Sequence, residues 1–182
     1  MAKRDVVLTY EDYAALPADG RRYEIHDGEL SVTPATTPQH QMVSRDLLTV
    51  LHHHVKTKGL GEVLYAPLDV ILAETAIVQP DIVYLDRTRL GAISRRGIEG
   101  APTLVVEILS PSTTLIDRST KRRLYARHRV PYYWLVDPEG RAIEALVLGP
   151  EDYALAVRAS GDEPLALPPF PELALVPAAL WP

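Results

Sequence analysis

The chain has 182 residues, enough for a domain that buries about two thirds of the surface its unfolded chain would expose, and we predict a single domain over residues 1–182. Its formal net charge of -5 argues against a protein whose main role is to coat nucleic acid, since such proteins usually carry a basic surplus. The chain has no cysteine, which excludes a disulfide framework, a thiolate zinc site and a cysteine nucleophile.

Targeting signals are not evident in the sequence. No N-terminal stretch has the charged and apolar plan of a signal peptide, and no apolar run approaches the ~20 residues that span a bilayer. We therefore expect a cytoplasmic protein with no membrane segment. The arginine bias, the sixteen prolines and the absence of asparagine are typical of a thermophilic source.

The first 33 residues predict a short helix and a β-hairpin. Thr9 is a suitable cap for a helix that runs to about residue 16. Alternating residues in 22–26 and 29–33 flank Asp27-Gly28, the dipeptide most typical of a tight hairpin turn.

Glu24 lies on the first strand of this hairpin. Side chains alternate between the two faces of a strand, so Glu24 shares a face with Arg22 and His26. This face is either a solvent-facing polar stripe or part of a functional site, and the hairpin alone leaves both interpretations open.

The middle of the chain predicts a long helix over 39–58 and several strands. The helix contains three consecutive histidines, which point about 100 degrees apart and cannot converge on one metal ion. Asp81 follows Pro80 near the entrance of a hydrophobic run, although a Pro-Asp pair is also a common turn element. The predicted strands are 61–65, 68–72 and 77–85.

A buried strand and a following helix carry the most unusual charges. Glu107 is the single carboxylate in the apolar run 104–109. Ser110 to Thr113 then breaks the strand, and a helix should follow that places Asp117 and Lys121 on one face, four residues apart. The arginines of this helix form either a solvated face or a phosphate-contacting surface.

The C-terminal part predicts mainly strands. Residues 131–136 and 141–148 flank a turn with proline at its second position, which predicts a hairpin. Residues 153–158 predict a further strand, and a short helix is expected around Ala178 in the proline-rich tail. Alternating strands, loops and helices favour a mixed sheet flanked by helices.

Four charged residues are the hardest to explain as ordinary surface: Glu24, Asp81, Glu107 and Lys121. Oxygen ligands without histidine or cysteine suit Mg²⁺ or Mn²⁺. A divalent ion held by two carboxylates beside an ammonium group is suited to hydrolysis of a phosphodiester. Both cations stabilise the negative charge that develops on the phosphate in the transition state.

Several motifs together resemble a known family. They are 22–30, Gln39-His40, Pro80-Asp81, 107–112, Asp117, Lys121, Tyr125 and 133–138. Their order and spacing resemble the Uma2 (Uma-two) family of bacterial proteins, which is labelled as restriction endonucleases and belongs to the PD-(D/E)XK nuclease superfamily.

This resemblance implies a fold and a set of metal ligands. The expected fold is α/β (α+β), a restriction-endonuclease-like mixed central sheet flanked by helices, with extra N-terminal and C-terminal β-hairpins. Asp81 and Glu107 would be metal ligands, together with the main-chain carbonyl of Ile108. Glu24 would be the acidic catalytic residue that such nucleases contribute from an early element.

The resemblance also indicates where the remaining site residues would lie. Leu109 stands where the superfamily motif has its lysine, so the resemblance assigns that catalytic role to Lys121 on the following helix. His40, Arg118 and Arg122 are the candidates for substrate binding.

The predicted function is a Mg²⁺-dependent endonuclease, with Mn²⁺ as a second usable ion and DNA as the favoured nucleic acid. The alternative is a catalytically inactive nucleic-acid-binding or dimerisation module on the same fold. A homodimer is expected by analogy, because two sites are needed to cut both strands together.

Overall fold

The computed structural model of the chain describes residues 6–182. The first elements are α1 (Tyr10–Ala14), β1 (Arg22–His26), β2 (Glu29–Thr33), α2 (Pro38–Lys58), β3 (Gly61–Tyr65), β4 (Val70–Ala73), β5 (Ala76–Val78), β6 (Ile82–Asp86), β7 (Ile98–Glu99) and β8 (Leu104–Ile108). They are followed by α3 (Thr114–Ile116), a π-helical turn (Asp117–Lys121), α4 (Arg122–Arg127), β9 (Tyr132–Asp137), β10 (Ala142–Leu148), β11 (Tyr153–Ser160), β12 (Leu165–Leu167) and β13 (Phe170–Leu175). Short 3-10 turns occur at Leu90–Ala92 and Pro177–Leu180.

A six-stranded mixed sheet forms the centre of the fold, in the order β11-β10-β9-β8-β6-β3. Only the β8–β9 pair is parallel within this sheet. Leu104 and Val106 pack on the side that α2 covers, and Val105 packs on the side covered by α4. The predicted fold, a mixed sheet flanked by helices, is confirmed. Within residues 6–182, no helix is both long and apolar enough to cross a membrane.

A second sheet of five strands, in the order β2-β1-β5-β4-β7, carries the predicted N-terminal hairpin. β1 and β2 pair over their full length. Asp27 (φ 53°) and Gly28 (φ 86°) both adopt the left-handed conformation that a tight hairpin turn of this type requires. A small core of Ile25, Ile71 and Ile77 packs against α1.

The prediction of one strand over residues 77–85 is wrong. The chain leaves the five-stranded sheet at the end of β5 and enters the six-stranded sheet as β6. Pro80 explains the break, because proline has no N–H to donate to a ladder. The switch between sheets leaves Asp81 just outside β6, at the boundary between the two sheets.

The C-terminal tail contains a strand pair that the sequence did not predict. The β9–β10 hairpin and the helical turn around Ala178 are confirmed. However, β12 and β13 also pair with each other, on either side of a proline-proline sequence. Phe170 of β13 is buried against the rings of Tyr84 and Trp134, so this strand pair completes the core under α2.

The beginning of α2 offers a first prediction. The Thr37 side chain accepts a hydrogen bond from the His40 N–H at 3.2 Å, and losing such a cap costs about 1 kcal/mol. Thr37→Ala should therefore lower the free energy of unfolding by about this amount in urea denaturation. Thr49→Ala is the matched control, because that hydroxyl bonds only a carbonyl inside the same helix. Equal stability of the two variants would contradict the assignment of Thr37 as a stabilising cap.

Candidate metal and nucleic-acid site

Asp81 and Ile108 meet where β6 begins, beside the end of β8. Ile82 pairs with Val106, so the antiparallel register carries β8 two residues beyond the start of β6. The N–H of Ile108 consequently has no strand partner there, and it donates to Asp81 Oδ2 at 2.8 Å instead. The N–H and the carbonyl of one strand residue point to the same side, so the Ile108 carbonyl also faces Asp81.

Two further side chains hold the Asp81 carboxylate. His40 Nε2 lies 3.1 Å from Oδ2, and Arg22 Nη1 lies 3.3 Å from Oδ1. Burial opposes ionisation of Asp81, but the hydrogen bonds and charges of His40 and Arg22, with the Ile108 N–H, lower its pKa. Asp81 is thus a buried carboxylate kept in its ionised form.

Lys121 lies at the centre of three carboxylates. Its Nζ is 3.0 Å from Glu107 Oε1, 3.0 Å from Glu24 Oε1 and 3.7 Å from Asp117 Oδ1. Lys121 is only 5% exposed. Burial acts against its charge, but the three carboxylates together raise the pKa of Lys121.

The π-helical turn Asp117–Lys121 presents this lysine to the sheet. A π turn closes i→i+5 hydrogen bonds and occurs mostly as a single turn inside an α-helix. The hydroxyl of Tyr133 on β9 donates to the Asp117 carbonyl at 3.0 Å, which ties the turn to the central sheet. The turn is therefore fixed by the sheet on which it packs.

Glu107 differs from Asp81 in that its pKa is raised instead of lowered. Its Oε1 accepts hydrogen bonds from Lys121 Nζ at 3.0 Å and from the Tyr125 hydroxyl at 2.6 Å. Burial, with the negative charges of Asp117, Asp81 and Glu24, outweighs Lys121 and raises the pKa of Glu107 to about 8. Among residues 6–182, none donates a hydrogen bond to the second oxygen, Oε2.

Glu24 belongs to the same cluster and is not a solvent-facing residue. Its exposed fraction is 1%, which excludes the polar-stripe interpretation of β1. The N–H of Gln79 donates to Oε1 at 2.7 Å, and His26 Nε2 lies 3.0 Å from Oε2. Burial opposes ionisation, but Lys121 and the His26 hydrogen bond lower the pKa of Glu24.

Part of this cluster lines a cavity that opens into a larger groove. The cavity has a volume of about 260 Å³ and is lined by Asp81, Glu107, Ile108 and Lys121. A groove of about 820 Å³ adjoins it and shares Asp81 with it. Arg22 and His40 also line both spaces, so the carboxylates can be reached from outside through the groove.

The two predicted substrate-binding arginines lie elsewhere. Arg118 Nη1 is 2.7 Å from Glu144 Oε2, and Arg122 Nη2 is 3.0 Å from Asp152 Oδ2. Neither arginine lines the cavity or the groove. The structure brings together Glu24, His40, Asp81, Glu107, Ile108 and Lys121, but not Arg118 or Arg122.

The donor atoms of the cavity fit a hard divalent cation. In the described part of the chain, no three histidine, aspartate or glutamate side chains form a ready-made metal cluster. The cavity is instead lined by three carboxylate residues, Asp81, Glu107 and Asp117, and by Ile108. Glu107 Oε2 accepts no hydrogen bond from the described residues, and the Ile108 carbonyl points to the same side as the N–H that bonds Asp81. Oxygen donors of this kind suit Mg²⁺ or Mn²⁺, which also retain several water ligands.

Three contributors to the site were not among the predicted site residues. Arg22 and Tyr125 bond Asp81 and Glu107 directly, and the backbone of Gln79 bonds Glu24. The alternation of side chains along β1 already placed Arg22 on the same face as Glu24. This shared face was the sequence signal from which a role of Arg22 in the site could have been predicted. The sequence carried no comparable signal for Gln79, because its role depends on pairing between distant strands.

Comparisons with known proteins agree with this architecture. A crystal structure described as that of "a putative nuclease belonging to DUF820" from Anabaena variabilis ATCC 29413 is 20% identical. It matches with a TM-score of 0.78 over 96% of this chain and 97% of that chain, which shows a shared fold. No curated protein matches the chain. The family model Uma2, described as "Putative restriction endonuclease", matches residues 10–178, and the chain therefore belongs to the Uma2 family.

Proposed function

We propose that the chain is a metal-dependent endonuclease that hydrolyses phosphodiester bonds, with DNA as its substrate. The observation that carries this proposal is the convergence of Asp81, Glu107 and Lys121 on one cavity, beside the backbone of Ile108. Family membership supports a nuclease of the restriction-endonuclease type.

Asp81, Glu107 Oε2 and the Ile108 carbonyl are the proposed ligands of a Mg²⁺ ion. When bound, such an ion supplies Lewis acidity that stabilises negative charge on the phosphate being cleaved. His40 and Arg22 keep Asp81 ionised and oriented. Tyr125 and Lys121 engage Glu107 through Oε1 alone, so Oε2 remains available to a ligand.

Lys121 acts as a fixed positive charge and not as a general base. Its pKa is raised by three carboxylates, so the amine keeps its proton at neutral pH. A buried ammonium group beside the cavity stabilises the extra negative charge of the transition state. Glu24 is a positioning residue in this scheme, because it contacts Lys121 Nζ at 3.0 Å.

The polar atoms around Asp81 also fit an incoming phosphate. Arg22 Nε and His40 Nδ1 are buried and have no hydrogen-bond partner among the described residues. A buried donor without an acceptor is costly. A substrate phosphate beside Asp81 would supply acceptors for Arg22 Nε, in a charge-assisted contact that arginine favours.

The raised pKa of Glu107 predicts how metal binding depends on pH. A glutamic acid in the unfolded chain ionises near 4.5, whereas the pKa of Glu107 in the folded protein is about 8. Between these values the folded protein holds a proton that Mg²⁺ must displace. The affinity for Mg²⁺ should therefore rise about tenfold per pH unit up to about pH 8 and level off above it.

Calorimetric titration at several pH values measures this dependence directly. Glu107→Gln is the control, since it removes the ionisable group and should bind Mg²⁺ weakly at every pH. A wild-type affinity that stays constant from pH 5.5 to pH 8 would contradict the role of Glu107 as a ligand.

A specific observation also favours the alternative, an inactive binding or dimerisation module. The contacts of Lys121 with Glu107 and Glu24 are already complete without any ligand, as in a structural ion pair. The proposal predicts that chelator-stripped protein nicks supercoiled plasmid when Mg²⁺ or Mn²⁺ is restored. Protein that shifts nucleic acid in a gel but cleaves neither duplex nor single strands with either ion would establish the alternative.

Four further predictions accompany the proposal. We propose one domain over residues 1–182, a homodimer, a cytoplasmic location and a thermophilic source. We also retain a substrate contact for Arg118 and Arg122, at the outer surface of the helix.

A further inference from the structure

The groove beside the catalytic cavity carries an exposed aromatic ring close to Asp81. Tyr65 ends β3 and pairs with Ile82, the residue that follows Asp81. The next N–H, that of Ala66, donates to the Asp81 carbonyl at 3.0 Å. Two backbone contacts therefore fix the position of Tyr65 relative to the proposed metal ligand.

Tyr65 is available to a ligand despite this rigid attachment. The residue is 60% exposed and lines the groove together with Val32, which is 49% exposed. Paired strand residues lie about 5 Å apart. The ring thus lies within about one or two nucleotides of a phosphate held at Asp81.

Two arginines at the same groove can contact a phosphate backbone. The side chains of Arg21 and Arg45 are 68% and 67% exposed, and both residues line the groove. Each is paired with an aspartate, Asp19 at 3.5 Å and Asp46 at 2.7 Å. Exposed ion pairs of this kind contribute little to stability, so a phosphate can take the place of the aspartate.

The catalytic groups themselves are recessed. Asp81, Glu107 and Lys121 are 5%, 2% and 5% exposed, respectively, and the groove gives access to them. In a duplex, both faces of every base are covered by neighbouring bases. An aromatic side chain can stack on a base only if that base is unpaired or turned out of the helix.

We propose that Tyr65 is a stacking platform for an unpaired base next to the scissile phosphate, so that the groove selects single-stranded DNA. This inference rests on the proposed nuclease function and names its substrate class. Val32 extends the apolar floor of the groove, and the arginines contact the flanking phosphates. An aromatic platform beside basic side chains is the usual means of binding single strands without reading their sequence.

The test measures binding affinity by fluorescence anisotropy, with Ca²⁺ in the buffer in place of Mg²⁺. The ligands are a labelled single-stranded oligodeoxynucleotide of about 12 nucleotides and its duplex. Wild-type protein should bind the single strand more tightly than the duplex. Tyr65→Ala should weaken single-strand binding by roughly tenfold with little effect on the duplex, and Tyr65→Phe should bind like wild type. Leu155→Ala is the control, because Leu155 is 57% exposed on β11, at the opposite edge of the sheet.

Two binding results would overturn the inference. Tyr65→Ala could bind the single strand as tightly as wild type, or it could lose affinity for both forms equally. A cleavage result would also remove the inference and leave the nuclease function intact. In it, wild-type protein cleaves plasmid with Mg²⁺, and Tyr65→Ala cleaves single strands at the same rate as wild type. Tyr65-dependent binding without cleavage in Mg²⁺ or Mn²⁺ would support the platform and refute the nuclease function.

Discussion

Asp81→Asn is expected to reduce Mg²⁺-dependent nicking of plasmid by more than about a hundredfold, since even the loss of a residue that only supports a metal ligand costs 10- to 100-fold. The substitution keeps the size of the side chain and removes its negative charge. The oxygen of an amide can still accept the hydrogen bond that the Ile108 N–H gives to Asp81. The fold should therefore survive while the proposed Mg²⁺ site is lost.

The control for this variant is Asp162→Asn. Asp162 is exposed and lies outside both the cavity and the groove. Nicking rates are compared at saturating Mg²⁺, after the melting temperature shows that both variants are folded. An Asp81→Asn protein that nicks plasmid at the rate of the control would remove Asp81 from the catalytic site.

Lys121→Met is expected to lower the free energy of unfolding by about 3–5 kcal/mol, the usual cost of removing one partner from a buried ion pair. The reason is that Glu24 and Glu107 both lose the cation that lies 3.0 Å from each of them. Urea denaturation of the purified variant measures this loss. Nicking should also disappear, because the proposed electrostatic stabilisation of the transition state is gone.

A second substitution separates the structural and catalytic roles of Lys121. Adding Glu24→Gln to Lys121→Met neutralises the ionised carboxylate that has lost its cation. This should restore much of the stability, since neutral replacement of both partners of a buried ion pair is often tolerated. The double variant should nevertheless remain unable to nick plasmid. If it folds like wild type and nicks at the wild-type rate, Lys121 is a structural residue only.

Local sequence patterns predicted those elements that depend on neighbouring residues. Asp27-Gly28 indicated the hairpin, and the apolar run around Glu107 indicated a buried strand; both are observed. Proline misled the prediction in two places. The prediction placed Pro80 inside one strand, although the chain changes sheets there. The β12–β13 pair was not predicted because prolines flank Phe170.

The site was only partly predictable because its contacts join distant parts of the chain. The spacing of Asp117 and Lys121 suggested a local ion pair, but Lys121 lies nearer to Glu107 and Glu24, at 3.0 Å, than to Asp117, at 3.7 Å. The π-helical turn and the strand register produce this arrangement. Neither follows from the helical periodicity of the segment.

The most direct test of the metal site is the position of Mn²⁺ in crystals of the wild-type protein, located by anomalous diffraction. We expect one ion in the cavity, within about 2.3 Å of oxygens from Asp81, Glu107 and the Ile108 carbonyl. Lys121 should remain beside Glu107 Oε1. A cavity that stays free of Mn²⁺ at concentrations that support nicking, with the ion bound elsewhere, would contradict the central claim that these residues form the catalytic metal site.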